Sequence, residues 1–392
     1  MRGMKKILVS ALSLGLLLSF TSCDITEQFI DFDEIDTVAY ENKTKNDETD
    51  DTTTDTSNTN NDDSKESSTE VMVYDETVKE KIDQYVDDYN DMYGYNLLSL
   101  DVNYGDLLTD VYESFYDASY VCLTSDYDYE VIKDDSFNYI VIDKYEYTNY
   151  RYTDVIASAW MTMIEENPIF YFLFTGYTVS QSSNGYYFYL LGSEEYAKAE
   201  DRNNCNLQII DFVEDFEEEY NKLEEVTDYN KALLIHDYLC NNMEYAYDSD
   251  GNASNEAYAH NILGIINKAG VCESYAKLYL FLSYRIDLTS LIVIGYSQSQ
   301  ANGHAWNYCQ IDGVWYGVDV TWDDSDTFTY DYFLVSSKIM NYAHTPYSQT
   351  FGISFQVPLP ALSSSSYDTS KDETEPTPGS TGRHSGSIFR RY

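Results

Sequence analysis

An α+β fold is predicted for the foldable part of this chain. Its later part reads as a helix that opens on a cysteine, followed by a pair of antiparallel strands that carry a histidine and an aspartate. A mixed helix and strand N-terminal region precedes this unit. Three observations support the prediction. Asn184-Gly185 and Asp312-Gly313 each sit between β-prone runs, the pattern of tight hairpins. Several stretches repeat apolar residues at helical spacing. A helix-length, largely apolar run follows Gly270, as in a helix buried on most sides.

Composition narrows the range of functions. The 392 residues allow one large or two small domains. A formal net charge of −45, with only 23 Lys and Arg, excludes nucleic acid as an electrostatic partner. Charge-driven binding to an anionic membrane is excluded for the same reason. Of the 43% hydrophobic residues, many are among the 41 tyrosines, which are amphipathic and overstate the size of the core.

From the N-terminus, Arg2, Lys5 and Lys6 form a basic segment and Ile7 to Phe20 a short apolar one, shorter than the roughly 20 residues of a membrane span. Thr21, Ser22 and Cys23 follow. This resembles a bacterial lipoprotein signal, with residues 1–22 removed and Cys23 lipidated, although Phe20 replaces the usual aliphatic residue. The protein is therefore expected to be exported and membrane-anchored at the cell surface or envelope, through the lipid on Cys23. Residues 23–70 read as a disordered acidic tether. DETDDTTTDTSNTNNDDSKESSTE offers nothing to bury and repels itself.

Residues 71–225 read as an accessory region of helices and strands. Val78, Ile82, Tyr85, Val86, Tyr89 and Met92 predict a helix over Asp75 to Tyr93. Tyrosine-rich alternating runs such as FNYIVIDKYEY predict strands. A helix is expected from Thr153 to Glu166, stopped by Pro168. YFLFTGYTVS and GYYFYLLGS form a hairpin about Asn184-Gly185. Ile209 to Glu225 and Asp228 to Met243 predict two more helices. Residues 226–362 carry the chemistry, and Ser363 to Tyr392, rich in Ser, Thr, Pro and Gly, reads as a disordered tail.

Within 226–362, Gly270-Val271-Cys272 opens the apolar helix. In its first turn, unpaired backbone N–H groups and the helix dipole favour an anion, which raises the thiolate population of a cysteine. The same donors can receive an oxyanion. Downstream, GHAWN begins a strand and Asp312-Gly313 turns it back along Val314 to Thr321. A two-residue turn pairs Ile311 with Val314, so Trp306 faces Asp319 and His304 faces Thr321. His304 and Asp319 then share a sheet face as diagonal neighbours about 7–8 Å apart. Cys309, at odd parity, points away. Cys272, His304 and Asp319 thus supply a nucleophile, a base and an orienting acid.

GVCESYA, GHAWN and GVDVTWDD resemble the core of the transglutaminase-like superfamily. The resemblance implies a papain-like fold with a catalytic triad of Cys272, His304 and Asp319. HDYLCNNMEYAYD resembles an upstream helix and Tyr-Asp turn of bacterial members, involving His236, Asp237, Tyr247 and Asp248, and TYDYFLVS resembles a closing strand. The resemblance further implies a thiol acyl-transfer enzyme acting on a peptide or protein substrate, with the cell envelope as one source of it. A cysteine protease or amidase is favoured over a crosslinking transglutaminase, and a non-catalytic surface-binding module is the competing class. His236 reads as a packing or hydrogen-bonding residue, and Trp306 and Trp322 as walls of the cleft.

No cofactor and no metal are expected. Read as an EF-hand, Asp248 onward places Ala253 where glycine is needed and Ala259 where a bidentate carboxylate is needed. Cys122, Cys205, Cys240 and Cys309 lack zinc spacing and suggest no pairing.

Overall fold

The computed structural model describes residues 76–90, 105–133, 137–298, 300–325, 327–346 and 359–371. The signal segment, Cys23 and the tether lie outside the described residues.

The N-terminal region consists of helices α1 (Glu76–Asn90), α2 (Gly105–Thr124) and α3 (Thr153–Glu166) with a four-stranded antiparallel sheet. Its strands are β1 (Val131–Lys133), β2 (Asn138–Tyr147), β3 (Leu173–Gln181) and β4 (Tyr186–Ser193), in the order β1-β2-β4-β3. The β3–β4 connection closes where the Ser182 hydroxyl accepts the Asn184 and Gly185 N–H groups. Helix α3 spans its expected residues, and the Asn167 side chain donates to the Met163 carbonyl at its end.

Two helices depart from the sequence reading. Helix α2 has no counterpart in the sequence reading. Its buried stripe of Leu108, Val111, Phe115, Ala118 and Cys122 is interleaved with the half-buried Tyr112, Tyr116 and Tyr120, which blurs the period. Helix α4 (Ala199–Tyr220) begins ten residues before Ile209. Its first half turns Arg202, Asn203 and Asn206 inward, where Asn206 bonds Tyr171 and the Leu123 carbonyl. A polar inner face leaves no hydrophobic period to detect.

Beyond α4 come α5 (Asp228–Asn242), the two-residue parallel pair β5 (Glu244–Tyr245) and β6 (Ala269–Gly270), and α6 (Cys272–Arg285). A second antiparallel sheet holds β7 (Ser290–Ser297), β8 (Gln300–Ile311), β9 (Val314–Val318) and β10 (His344–Pro346), in the order β10-β7-β8-β9. Helix α7 (Ser337–Ala343) leads into β10. Ile311 pairs with Val314 and Asn307 with Val318, the register expected of a two-residue turn. Asp312 and Gly313 both have positive φ, 51° and 80°, as a type I′ turn requires.

Helix α6 is buried along nearly its whole length, from Cys272 to Tyr284. It packs on the β8 face that bears Cys309 and Ile311, and Asn307 on that face donates to the Ala276 carbonyl. The accessory region braces the same helix. Arg285 stacks on Tyr85 of α1 and pairs with Glu217 of α4 at 2.8 Å. One hydrophobic core runs from Val78 to Leu334, so the two regions are packed as a unit.

Two expectations at the C-terminal end are corrected. TYDYFLVS does not form a closing strand; within it, Val335 makes a single antiparallel bridge to Gly317, and β10 occupies the opposite edge. The chain beyond 362 is not wholly a tail. Ser363 N–H donates to the Trp315 carbonyl, Tyr367 N–H donates to the Leu334 carbonyl, and the Tyr367 ring stacks on Tyr229 at 5.2 Å.

Candidate active site

The site starts from the entry into α6. At Gly270 a Cβ would lie 2.6 Å from the Ser274 side chain, so glycine lets the chain approach the helix it is about to form. Ser274 fixes the first turn through its hydroxyl bond to the Asn261 carbonyl, 2.7 Å. Cys272 sits at the first helical position, 5% exposed and packed against Ala276 of its own helix and Ala305 of β8. The first N–H groups of a helix lack intrahelical acceptors, so donors converge where negative charge would develop. The neighbouring Glu273 is tied to Lys277 at 2.7 Å and His260 at 3.0 Å. Burial opposes its ionisation, but Lys277 and then His260 bring it down to about 2.

His304, on β8, is fully buried between two indoles. Its ring lies near-parallel to Trp306 at 5.9 Å and Trp322 at 5.3 Å. Nε2 donates to Asp319 Oδ2 at 2.7 Å. Nδ1 makes no other close hydrogen bond, and the Cys272 thiol acts on the ring both through its charge and through a side-chain hydrogen bond. Burial pushes the imidazolium towards losing its proton; the charge of Asp319, then Cys272, overrides this and holds it up to about 10.

Asp319 follows β9 and caps the helical turn Val320–Asp323, its Oδ1 accepting the Trp322 N–H at 3.2 Å. Burial works against its charge, yet His304 and His344 hold it well below the usual carboxylate range. The structure thus brings Cys272, His304 and Asp319 into one buried cluster, with the carboxylate fixing the imidazole so that Nδ1 is left for the thiol.

Residues 219–320 match the family model of the transglutaminase-like superfamily. That stretch is a transglutaminase-like core. It takes in all three of these residues and about a quarter of the chain. No curated protein matches the chain. Among solved structures, a TGase is 14% identical with a TM-score of 0.26, over 38% of this chain and 44% of that one. A protein from Cytophaga hutchinsonii, described as a candidate cysteine protease, is 16% identical with a TM-score of 0.22, over 50% of this chain and 70% of that one. The chain thus spans less than half the length of the first.

Around the transglutaminase-like core the remaining expected residues fall into place. His236 is fully buried, with Nδ1 3.0 Å from Asp237 and Nε2 3.3 Å from Asp323. Burial opposes its charge, but the two carboxylates raise its pKa overall. Asp323 also accepts the Thr329 hydroxyl and the Tyr332 N–H, so His236 ties α5 to the loop that follows Asp319. Asp248 closes a tight loop by accepting the Asp250 and Asn252 N–H groups. Cys122, Cys205, Cys240, Cys272 and Cys309 are all unbridged.

One residue escaped the sequence reading. His344 of β10 places Nε2 2.8 Å from Asp319 Oδ2, the oxygen that His304 also uses. It stands 25 residues beyond Asp319, past the segment that resembled a closing strand, and no spacing rule singles it out. His304, Asp319 and His344 bring one metal-ligating atom each within 4.8 Å of one another, but the short contacts to one shared oxygen are those of hydrogen bonds.

Proposed function

We propose that this chain is a surface-anchored thiol acyl-transfer enzyme that hydrolyses peptide or amide bonds through Cys272, His304 and Asp319. The observation that carries the reading is the division of labour at His304: Nε2 is committed to Asp319 at 2.7 Å, Nδ1 makes no other close hydrogen bond, and the Cys272 thiol acts on the ring through charge and a side-chain hydrogen bond. In this reading, thiolate Cys272 attacks the carbonyl carbon, and the oxygen takes up the negative charge near the first N–H groups of α6. His304 passes its Nδ1 proton to the departing amine as the C–N bond breaks, leaving a thioester. Water, deprotonated by His304, then releases the acid and restores the thiol. An amine in place of water would give a crosslink instead.

Support comes from the transglutaminase-like match over 219–320 and from a buried triad in which the imidazolium is favoured at neutral pH. The anchor part of the proposal rests on Cys23 and its preceding apolar segment. Among the described residues no helix is long and apolar enough to cross a membrane.

The test is labelling of the purified protein with iodoacetamide at neutral pH, followed by peptide mapping. Fast stoichiometric labelling at Cys272 that His304→Ala slows to the rate of an ordinary thiol supports the enzyme. Labelling no faster than a free thiol in the wild type favours a binding module. Incubation with a peptide library, with and without a primary amine, then separates hydrolysis from transfer by product mass. Loss of the Cys23→Ala variant from the membrane fraction tests the anchor.

A further inference from the structure

A neutral imidazole has one N–H donor and one acceptor nitrogen. His344 faces acceptors with both. Its Nε2 is 2.8 Å from the Asp319 carboxylate and its Nδ1 is 3.3 Å from the Met340 carbonyl oxygen. Whichever neutral tautomer is drawn, one ring lone pair points at an oxygen lone pair. Only the doubly protonated ring satisfies both contacts. The surroundings favour that charge. Met340 lies in the last turn of α7, where the carbonyls attract cations, and indole rings stand at 4.5 Å (Trp322) and 4.8 Å (Trp306), within reach of a cation–π interaction.

The sheet is built to bring this ring to the site. His304 pairs with Gly295 of β7, and Gly295 pairs with Pro346 of β10. By strand alternation His344, two residues before Pro346, lies on the same face as His304. Gly295 has no side chain to separate them, and a Cβ there would come within 2.2 Å of the Thr345 carbonyl oxygen, pushing β10 away. The two imidazole centroids are 5.4 Å apart although a whole strand intervenes.

We propose that His344 is a positively charged positioning residue of the Cys272–His304–Asp319 site: it clamps Asp319 Oδ2 from the side opposite His304 and sets the pH at which His304 gives up its proton. The proposal rests on the enzyme reading above for its consequence but not for its chemistry. With a second cation on the carboxylate, Asp319 divides its attraction between two rings, and His344 repels the proton on His304. His304 becomes a stronger acid towards a leaving amine than Asp319 alone would allow. The titratable groups facing His344 are Asp319, His304 and Tyr332; on its own segment Lys338 and Tyr342 are exposed.

The test is side-chain 15N NMR of the histidines in wild type, His344→Gln and His344→Leu, with the pH profile of turnover. At pH 7 both ring nitrogens of His344 are expected to show the protonated shift. Removing the charge should raise the His304 titration point by about one pH unit or more in both variants, since a like charge at this range disfavours the protonated form. His344→Gln keeps an N–H for Oδ2, so it should lose less kcat than His344→Leu and shift the pH optimum upward. His344→Leu should lose kcat at least tenfold with KM unchanged. A neutral tautomer of His344 at pH 7, or a His304 titration point that neither variant moves, overturns the proposal. Both NMR readouts are made on the resting protein, so a chain that turns over no substrate would sink the enzyme reading and still decide this one.

Discussion

Asp319→Asn removes one charge from the site and leaves its shape. In the wild type the His304 Nε2 to Asp319 Oδ2 distance is 2.7 Å, which places the charge centres about 4 Å apart. At an effective dielectric of about 20 their attraction is about 4 kcal/mol, or about three pH units on the imidazole. The His304 imidazolium, now held up to about 10, is therefore expected to titrate near 7 or below, with burial free to act on it. The sign follows from linkage. A histidine whose folded value is raised stabilises the fold fully below its unfolded value of about 6.5, and that contribution is lost as pH rises through about 10. The variant loses most of this contribution. It also loses an acceptor. Oδ1 takes the Trp322 N–H while Oδ2 takes two imidazole N–H groups, so either orientation of the new amide sets N–H against N–H. Losing the cap alone costs about 1 kcal/mol. The assay is the rate of iodoacetamide labelling at Cys272 from pH 5 to 9, beside a 15N titration of His304. Labelling at pH 8 should fall severalfold, because with a titration point near 7 only about a tenth of His304 then carries the charge that stabilises the thiolate. An unchanged labelling profile together with an unchanged His304 titration would refute the pairing.

Three further outcomes are expected. A chain ending at 362 should be less stable to urea than one ending at 371, by about 2 kcal/mol, because it loses the Tyr367 stack on Tyr229 and the Tyr367 N–H bond to Leu334; equal midpoints would return that segment to the tail. His236→Leu strands Asp237 and Asp323 beside an apolar side chain and should cost about 3–5 kcal/mol in chemical denaturation. The wild-type benefit of that histidine is present below about 6.5 and lost as pH rises through its raised folded value, so the cost should shrink at high pH; a cost under about 1 kcal/mol would show that the ring is not charged. Glu165 of α3 has both carboxylate oxygens buried without a partner, and burial raises it to about 7, against the pull of Lys277. A carboxyl raised in the folded state makes stability fall as pH rises from about 4.5 towards 7. Glu165→Gln should flatten that decline in a melting-temperature series, and a parallel decline in the variant would assign it elsewhere.

Much of the site was legible in the chain because it depends on local rules. A glycine before an apolar helix put Cys272 at an N-terminus, and the two-residue turn at Asp312-Gly313 set the register. That register fixes which face each side chain takes, because strand side chains alternate with period two. The same rules named the residues 153–166 as a helix and matched α5 to within a residue at its end. Local rules fail where side chains are buried for their polarity. Helix α4 hid its first turns because Arg202 and Asn206 face inward to bond carbonyls and Tyr171, and α2 hid behind tyrosines that are half in and half out. The second imidazole on Asp319 lay further out of reach. Its position depends on β10 pairing along β7, on a glycine at 295 that allows the strands to close, and on α7 turning the chain back from the opposite edge of the sheet. None of these leaves a period or a spacing in the sequence. A carboxylate can show in sequence that it has one partner; how many protons converge on its oxygen is decided by strand order, and strand order is a tertiary fact.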